Sequence, residues 1–201
     1  LHKPDASVPI ADTLGALKEL IDEGLVREVG CSNFSLAQLE EAERVAAEQG
    51  LPRFVSVQNE YSLLRREAEA EVLPACRRLG VGFLPFFPLL SGILTGKYRK
   101  GRPLPEGTRV TGNERWESLL TDDTLALIER LVAFSEARGY ELLDLAFAWL
   151  LAEPAVSSVI AGATSAEQVQ RNARAAAWRL DEADKREVDA LLAEHGFAPA
   201  A

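Results

Sequence analysis

Two hydrophobic rhythms alternate along this chain. Short apolar runs end abruptly in polar residues, and each is followed by a longer stretch whose apolar positions recur every three or four residues. Val26 to Cys31 stops at Ser32-Asn33, and Phe54 to Val57 stops at Gln58-Asn59. Val81 to Phe87 runs into a loop holding Ser91, Gly92 and Lys97, and Val156 to Ala161 stops at Gly162-Ala163-Thr164. Continuous apolar runs of this length read as buried strands and the longer stretches as amphipathic helices. The expected helices cover 13–23, 35–49, 67–79, 124–138, 142–152, 165–177 and 181–194. Asp12, Ser35 and Asp181 are the expected N-caps, and Gly24, Gly50, Gly80 and Gly139 close helices. The segment 88–120 breaks the rhythm, being rich in Gly and Pro, and loops of that length are usually functional.

Strand-helix repetition of this kind predicts parallel strands joined by right-handed crossovers. An open doubly wound sheet and a closed (β/α)8 TIM barrel both fit the spacing. The open sheet usually carries a Gly-rich phosphate fingerprint, and none is present. Four strands cannot close an eight-stranded barrel, so the barrel reading makes this chain the C-terminal part of one. In either fold ligands gather at the carboxyl ends of the strands, so the four polar loops are expected to share one site.

Composition narrows the class. The 201 residues are 47% hydrophobic and 26% charged, as in one globular domain with a substantial core. No apolar run reaches the roughly 18 residues of a membrane span. A net charge of −9 is the wrong sign for nucleic acid. Cys31 and Cys76 form neither a disulfide framework nor a metal-ligand pattern, which points to buried reduced thiols, no metal and a cytoplasmic setting. The chain contains no Met and opens Leu1-His2-Lys3-Pro4-Asp5, which reads as a strand end followed by a loop, as though cut from a larger protein.

Local charge reverses once. Lys97, Arg99, Lys100 and Arg102, with Arg109 beyond, form a basic cluster in an acidic chain; it reads either as a solvated loop or as a seat for a polyanion. Ser165 with Gln168 fits a capping box, and the helix start after Gly162 offers free N–H groups to an anion. In a barrel these two features would follow the last two strands, the usual phosphate position.

The motifs Gly30-Cys31-Ser32-Asn33-Phe34, Val57-Gln58-Asn59-Glu60-Tyr61, Leu94-Thr95-Gly96-Lys97-Tyr98 and Gly162-Ala163-Thr164 with Glu167-Gln168 and Asn172 together resemble the aldo-keto reductases. The likeness covers almost the whole chain, in order, and is nearest the branch that includes potassium-channel beta subunits and bacterial reductases. It implies an NADPH-dependent reductase of small-molecule aldehydes and ketones on a (β/α)8 barrel, present here from the end of strand 4 through strand 8 and the C-terminal helix.

The resemblance also implies roles. Ser32, Asn33 and Gln58 would bond the nicotinamide carboxamide and Phe86 would lie against its ring. Leu89, Ser91 and Lys97 would line the pyrophosphate, and Arg109 would approach the adenosine end. Gly162, Thr164, Gln168 and Asn172 would hold the adenosine and its ribose phosphate. Many relatives carry Arg in place of Gln168, so NADH is also a possible cofactor. The family usually has Ser where this chain has Phe87. His2 matches the active-site His that acts beside a Tyr acid; that Tyr, with its Lys and Asp partners, would lie upstream of Leu1, and Tyr61, Tyr98 and Tyr140 are misplaced for the role. Trp149 is expected in the core, Trp116 either at the substrate or as a loop anchor, and His195 in solvent. The alternative function is a non-catalytic NADP-binding regulatory subunit. A half barrel alone is expected to expose two strand edges and an apolar interior, and to self-associate.

Overall fold

A computed structural model describes residues 1–198. Three short strands, β1 (Gly30–Ser32), β2 (Ser56–Gln58) and β3 (Gly82–Phe83), form a parallel sheet in the order β1-β2-β3. The register pairs Gly30 with Ser56 and Ser56 with Gly82. The segment after Ala155 extends this order. Phe83 bridges Val156 in parallel, the Ser157 amide donates to Phe83 O at 3.0 Å, and the Ile160 amide donates to Pro85 O at 3.1 Å. The architecture is α/β with parallel strands, consistent with part of a (β/α)8 barrel.

The helices follow the sequence rhythm: α1 (Ile10–Asp22), α2 (Leu36–Gln49), α3 (Val72–Leu79), α4 (Glu114–Glu117), α5 (Asp122–Glu136), α6 (Leu142–Leu151), α7 (Ala166–Ala175) and α8 (Glu182–Glu194). Ser35 and Gln38 form a reciprocal capping box, and Asp181 accepts the Asp184 amide. Asp12 does not cap α1, which starts two residues earlier behind Pro9 and has no side-chain cap. The expected helix over 67–79 is broken into a 3₁₀ turn, Glu67–Glu69, and α3. Pro74 explains the break, because its ring would collide with the Ala70 carbonyl in a continuous helix.

The first strand is shorter than its apolar run. The Leu25 and Val26 amides both donate back to Leu20 O, so the run begins as the tail of α1.

One face of the sheet is dry. Cys31, Val57 and Phe83 are at most 2% exposed beneath the helical layer. The opposite face carries a row of small residues: a Cβ on Gly30 would fall 2.4 Å from Ser56 Oγ, and one on Gly82 would fall 2.6 Å from Ser157 Oγ. That face is therefore polar and small at this level, not the apolar interior expected of an open barrel.

The largest buried polar group is Arg66. Its guanidinium grips both Glu69 oxygens at 2.9 Å and approaches Asp189 of α8 at 3.1 Å. Tyr61 donates to Glu69 at 2.8 Å and Trp149 donates to Asp189 at 3.1 Å. This network fastens α6 and α8 to the loop after β2. Trp149 is fully buried, as expected. His195 is not free in solvent; its Nδ1 lies 2.8 Å from Asp123 Oδ1 and its side chain is 12% exposed.

Candidate functional site

The polar residues that end β1 and β2 meet in one hydrogen-bonded corner. Ser32 Oγ donates to the Gln58 carbonyl at 2.8 Å, and the Asn33 amide donates to the same oxygen at 2.9 Å. Asn33 Nδ2 donates to Ser32 Oγ at 3.0 Å and to His2 O at 2.9 Å. Asn33 has φ 62°, a left-handed conformation that Asn tolerates better than most non-Gly residues. The turn therefore fixes Asn33 and brings His2 beside it. Gln58 uses its backbone carbonyl in this corner, leaving its amide side chain half-buried at the strand end.

Asn59 was given no role by the sequence, although it neighbours Gln58. Its Nδ2 donates to Phe34 O at 2.9 Å, tying the first two loops together, and its buried Oδ1 has no partner. The only signal for it was its place in the Gln58-Asn59 pair. Phe86 joins the same region: it bridges Glu60 in parallel, and it lines a concavity of about 780 Å³ with Asn33, Asn59, Glu60 and Arg65.

The loop after β3 is conformationally unusual. Phe87, Leu90 and Ser91 have φ of 53°, 44° and 56°, a costly set for non-Gly residues. Gly92 follows at φ 98°, and a Cβ there would fall 2.9 Å from Lys97 Nζ. Glycine suits this turn because it adopts the positive φ without strain, and the flexible Lys97 side chain folds back over it. Leu89 packs with Val159 and Ala161 against Leu143, Phe147 and Ala175, which joins the third loop to the fourth.

The fourth loop is reached from the other side by Arg109, whose Nη1 lies 3.8 Å from where a Gly162 Cβ would be. Ser165 caps α7 by accepting the Gln168 amide at 3.2 Å. The reciprocal half of the expected box is absent: Gln168 Oε1 accepts instead from Thr164 N at 2.8 Å and Thr164 Oγ1 at 3.2 Å. Gln168 thereby stiffens the Gly162-Ala163-Thr164 turn and keeps its NH₂ group free of these contacts. Asn172 opens onto a second cavity of about 530 Å³, lined by Phe147, Ser157, Val159 and Arg179, and is not in contact with the Ser32–Asn33–Gln58 corner.

The basic cluster divides. Arg99 grips Glu129 through Nε at 2.7 Å, an ion pair that holds the Glu129 carboxyl below its usual range. Lys97 and Arg109 form no ion pair among the described residues. Arg99 is a structural fastener, while Lys97 and Arg109 are free to meet an anion.

Three tyrosines are engaged elsewhere. Tyr61 is buried against Glu69, Tyr98 donates to Thr108 at 2.9 Å, and Tyr140 stacks on Trp178 with ring centroids 4.1 Å apart. Burial next to the Glu69 carboxylate pushes the Tyr61 hydroxyl upward, away from a role as a proton donor near neutrality. Behind Ser32, burial pushes the Cys31 thiol up to about 12, so it is no nucleophile. Trp116 is 6% exposed and packs edge-on against Phe87 at 5.2 Å; it anchors the 88–120 segment. Among the described residues, no three His, Cys, Asp or Glu side chains are grouped to hold a metal, and no helix is long and apolar enough to cross a membrane.

The loops that follow the strands carry amide, hydroxyl and cationic groups, among them Ser32, Asn33, Lys97 and Arg109, the donor types that carboxamide and phosphate oxygens accept from.

Comparison with known proteins bears on this geometry. The sequence profile of the aldo/keto reductase family matches residues 1–193. A relative from Oryza sativa subsp. japonica, named a probable voltage-gated potassium channel subunit beta, is 38% identical over 179 residues, covering 87% of this chain and 54% of the relative. Probable aldo-keto reductase 1 of Glycine max is 32% identical over 187 residues, covering 93% of this chain and 52% of the relative. The L-glyceraldehyde 3-phosphate reductase of Escherichia coli (strain K12) is 32% identical over 180 residues, covering 87% and 51%. The chain spans about half the length of these curated relatives.

Proposed function

The chain belongs to the aldo/keto reductase family, and from that premise we propose that the protein is an NADPH-dependent oxidoreductase of small aldehydes and ketones. In this reading the described residues are the C-terminal part of a (β/α)8 barrel, from the end of strand 4 onward. The observation that carries it is the strand-end corner in which Ser32 Oγ and the Asn33 amide both donate to the Gln58 carbonyl, with Asn33 and Phe86 lining one concavity.

When bound, NADPH supplies the hydride; the protein positions it. Ser32, Asn33 and Gln58 offer the donors and acceptors that a carboxamide needs to fix one ring face toward the substrate. Phe86 backs the ring. Lys97, with Leu89 and Ser91, holds the pyrophosphate, and Arg109, Gly162, Thr164, Gln168 and Asn172 hold the adenosine half.

His2, held beside Asn33 through its backbone carbonyl, orients the substrate carbonyl. The proton would go to the carbonyl oxygen from a Tyr in the family's pattern, a role that none of Tyr61, Tyr98 and Tyr140 is placed to fill, since each is otherwise engaged. Its acidity must be tuned toward neutrality by neighbouring charge.

The relatives named as channel beta subunits favour a second reading, a non-catalytic subunit that binds NADP. One assay separates the two. The intact protein is mixed with NADPH and a panel of aldehydes, and the loss of nicotinamide absorbance is followed. Turnover supports the reductase; saturable NADPH binding without turnover supports the regulatory subunit; neither binding nor turnover defeats both.

A further inference from the structure

The cofactor reading leaves Arg115, a cation near Phe86, without a task. Arg115, in the short helix α4, lies with its guanidinium 4.6 Å from the Trp116 ring centroid and 5.7 Å from that of Phe87. The two rings form a platform, 5.2 Å apart and nearly perpendicular at 71°. Phe87 in turn meets Phe86 edge-on at 5.4 Å, so Arg115 stands one ring removed from the residue assigned to the nicotinamide. Phe87 holds this position at φ 53° while 39% exposed. A strained, exposed aromatic beside a cofactor site is an outlier of the kind that marks recognition.

The guanidinium is oriented yet poorly satisfied. Its one carboxylate neighbour, Glu60 Oε2, is 3.5 Å from Nη2, and the Arg115 side chain remains 60% exposed. A bond of that length is weak, and Glu60 is shared, with Arg65 Nε 4.0 Å from its other oxygen. Stacking on aromatic faces restrains a guanidinium without using its N–H donors. A restrained planar fork with open donors is prepared for an oxyanion, because little side-chain entropy is left to lose on binding.

Resting on the reductase reading above, we propose that Arg115 is a specificity-determining residue that selects carbonyl substrates bearing an oxyanionic group, a carboxylate or a phosphate, a few bonds from the carbonyl. Glu60 orients it, and Phe87 and Trp116 provide its platform.

The test compares matched substrates on the intact protein with saturating NADPH: succinic semialdehyde against butanal, and glyceraldehyde 3-phosphate against glyceraldehyde. Arg115→Gln is expected to raise KM for the charged member of a pair by about ten- to a hundredfold, the scale of one hydrogen bond to a charged group. Turnover of the neutral members should stay within about twofold, and Arg115→Lys should restore part of the loss. A drop confined to one pair identifies the carboxylate or the phosphate as the group read. Equal losses on charged and neutral substrates, or no loss, overturn the proposal.

A second readout is independent of turnover. Tryptophan fluorescence is titrated with inorganic phosphate and with acetate in a protein that keeps Trp116 with Trp149→Phe and Trp178→Phe, with and without Arg115→Gln. A response lost in the variant supports the assignment, and an unchanged response refutes it. Inactivity toward all four aldehydes would fall on the reductase reading, while the titration still decides Arg115.

Discussion

Asn33 combines two demands that substitution can separate. Its φ of 62° favours Gly or Asn, and its side-chain amide bonds Ser32 and His2. Asn33→Gly keeps the backbone conformation and removes the amide. It is expected to melt within a few degrees of the native protein while binding NADPH about tenfold more weakly. Asn33→Ala adds the left-handed penalty of roughly 1–2 kcal/mol and should lower both. If Asn33→Gly binds NADPH as tightly as the native protein, the amide has no part in the cofactor site. Gln168 makes a matching case at the far end. A neutral amide gives no charged fork to a 2′-phosphate, so Gln168→Arg should improve the affinity for NADPH relative to NADH by about tenfold. An unchanged ratio would place the 2′-phosphate elsewhere.

At the scale of elements, much was legible because apolar spacing and caps are local signals. Ser35 and Asp181 cap α2 and α8 as the sequence suggested. Pro74 was in plain view, yet the helix over 67–79 was expected whole, because periodicity carries no memory of the proline clash one turn back. The strand expected from Val26 starts late for a different reason: the end of α1 claims the Leu25 and Val26 amides, a competition invisible to hydrophobicity. Long-range chemistry was least legible. Arg99 looked like part of an anion seat and is taken by Glu129, thirty positions away. Nothing local marked Arg66 as the hub joining Glu69 to α8. Breaking that hub should be costly, since Arg66→Ala leaves the largely buried Glu69 carboxylate without its cation, while Asp189 keeps Lys185 at 2.9 Å. The expected loss is about 3–5 kcal/mol in urea unfolding. A loss below about 1 kcal/mol would mean the network is not what fastens α8.

For the molecule as a whole, burial of protonated thiols gives stability a definite pH dependence. Desolvation raises Cys31 from 9.0 to about 12 and Cys76 from 9.0 to about 11. The unfolded chain releases these protons first, so stability is complete below pH about 9 and declines as pH rises toward the folded values. Each thiol contributes a slope of up to about 1.4 kcal/mol per pH unit in that window. Cys31→Ala should flatten the decline in denaturant melts between pH 9 and 11, and an identical slope would show that Cys31 is not the titrating group. The sheet edge beyond Ser157 bears on association. Ile160, on that segment, is 42% exposed, and an open edge with an exposed apolar residue invites pairing. Expressed as these 201 residues alone, the chain should self-associate in light scattering; a monodisperse monomer would contradict this.

The central claim is that groups from four loops hold one dinucleotide along the carboxyl ends of parallel strands. Titration of the intact protein with NADPH, followed through protein fluorescence and nicotinamide emission together, tests it most directly. The account predicts saturable quenching of the first with enhancement of the second, weakened at least tenfold in Lys97→Ala. A response to simple sugar phosphates but none to NADPH, or full NADPH affinity in Lys97→Ala, would contradict it.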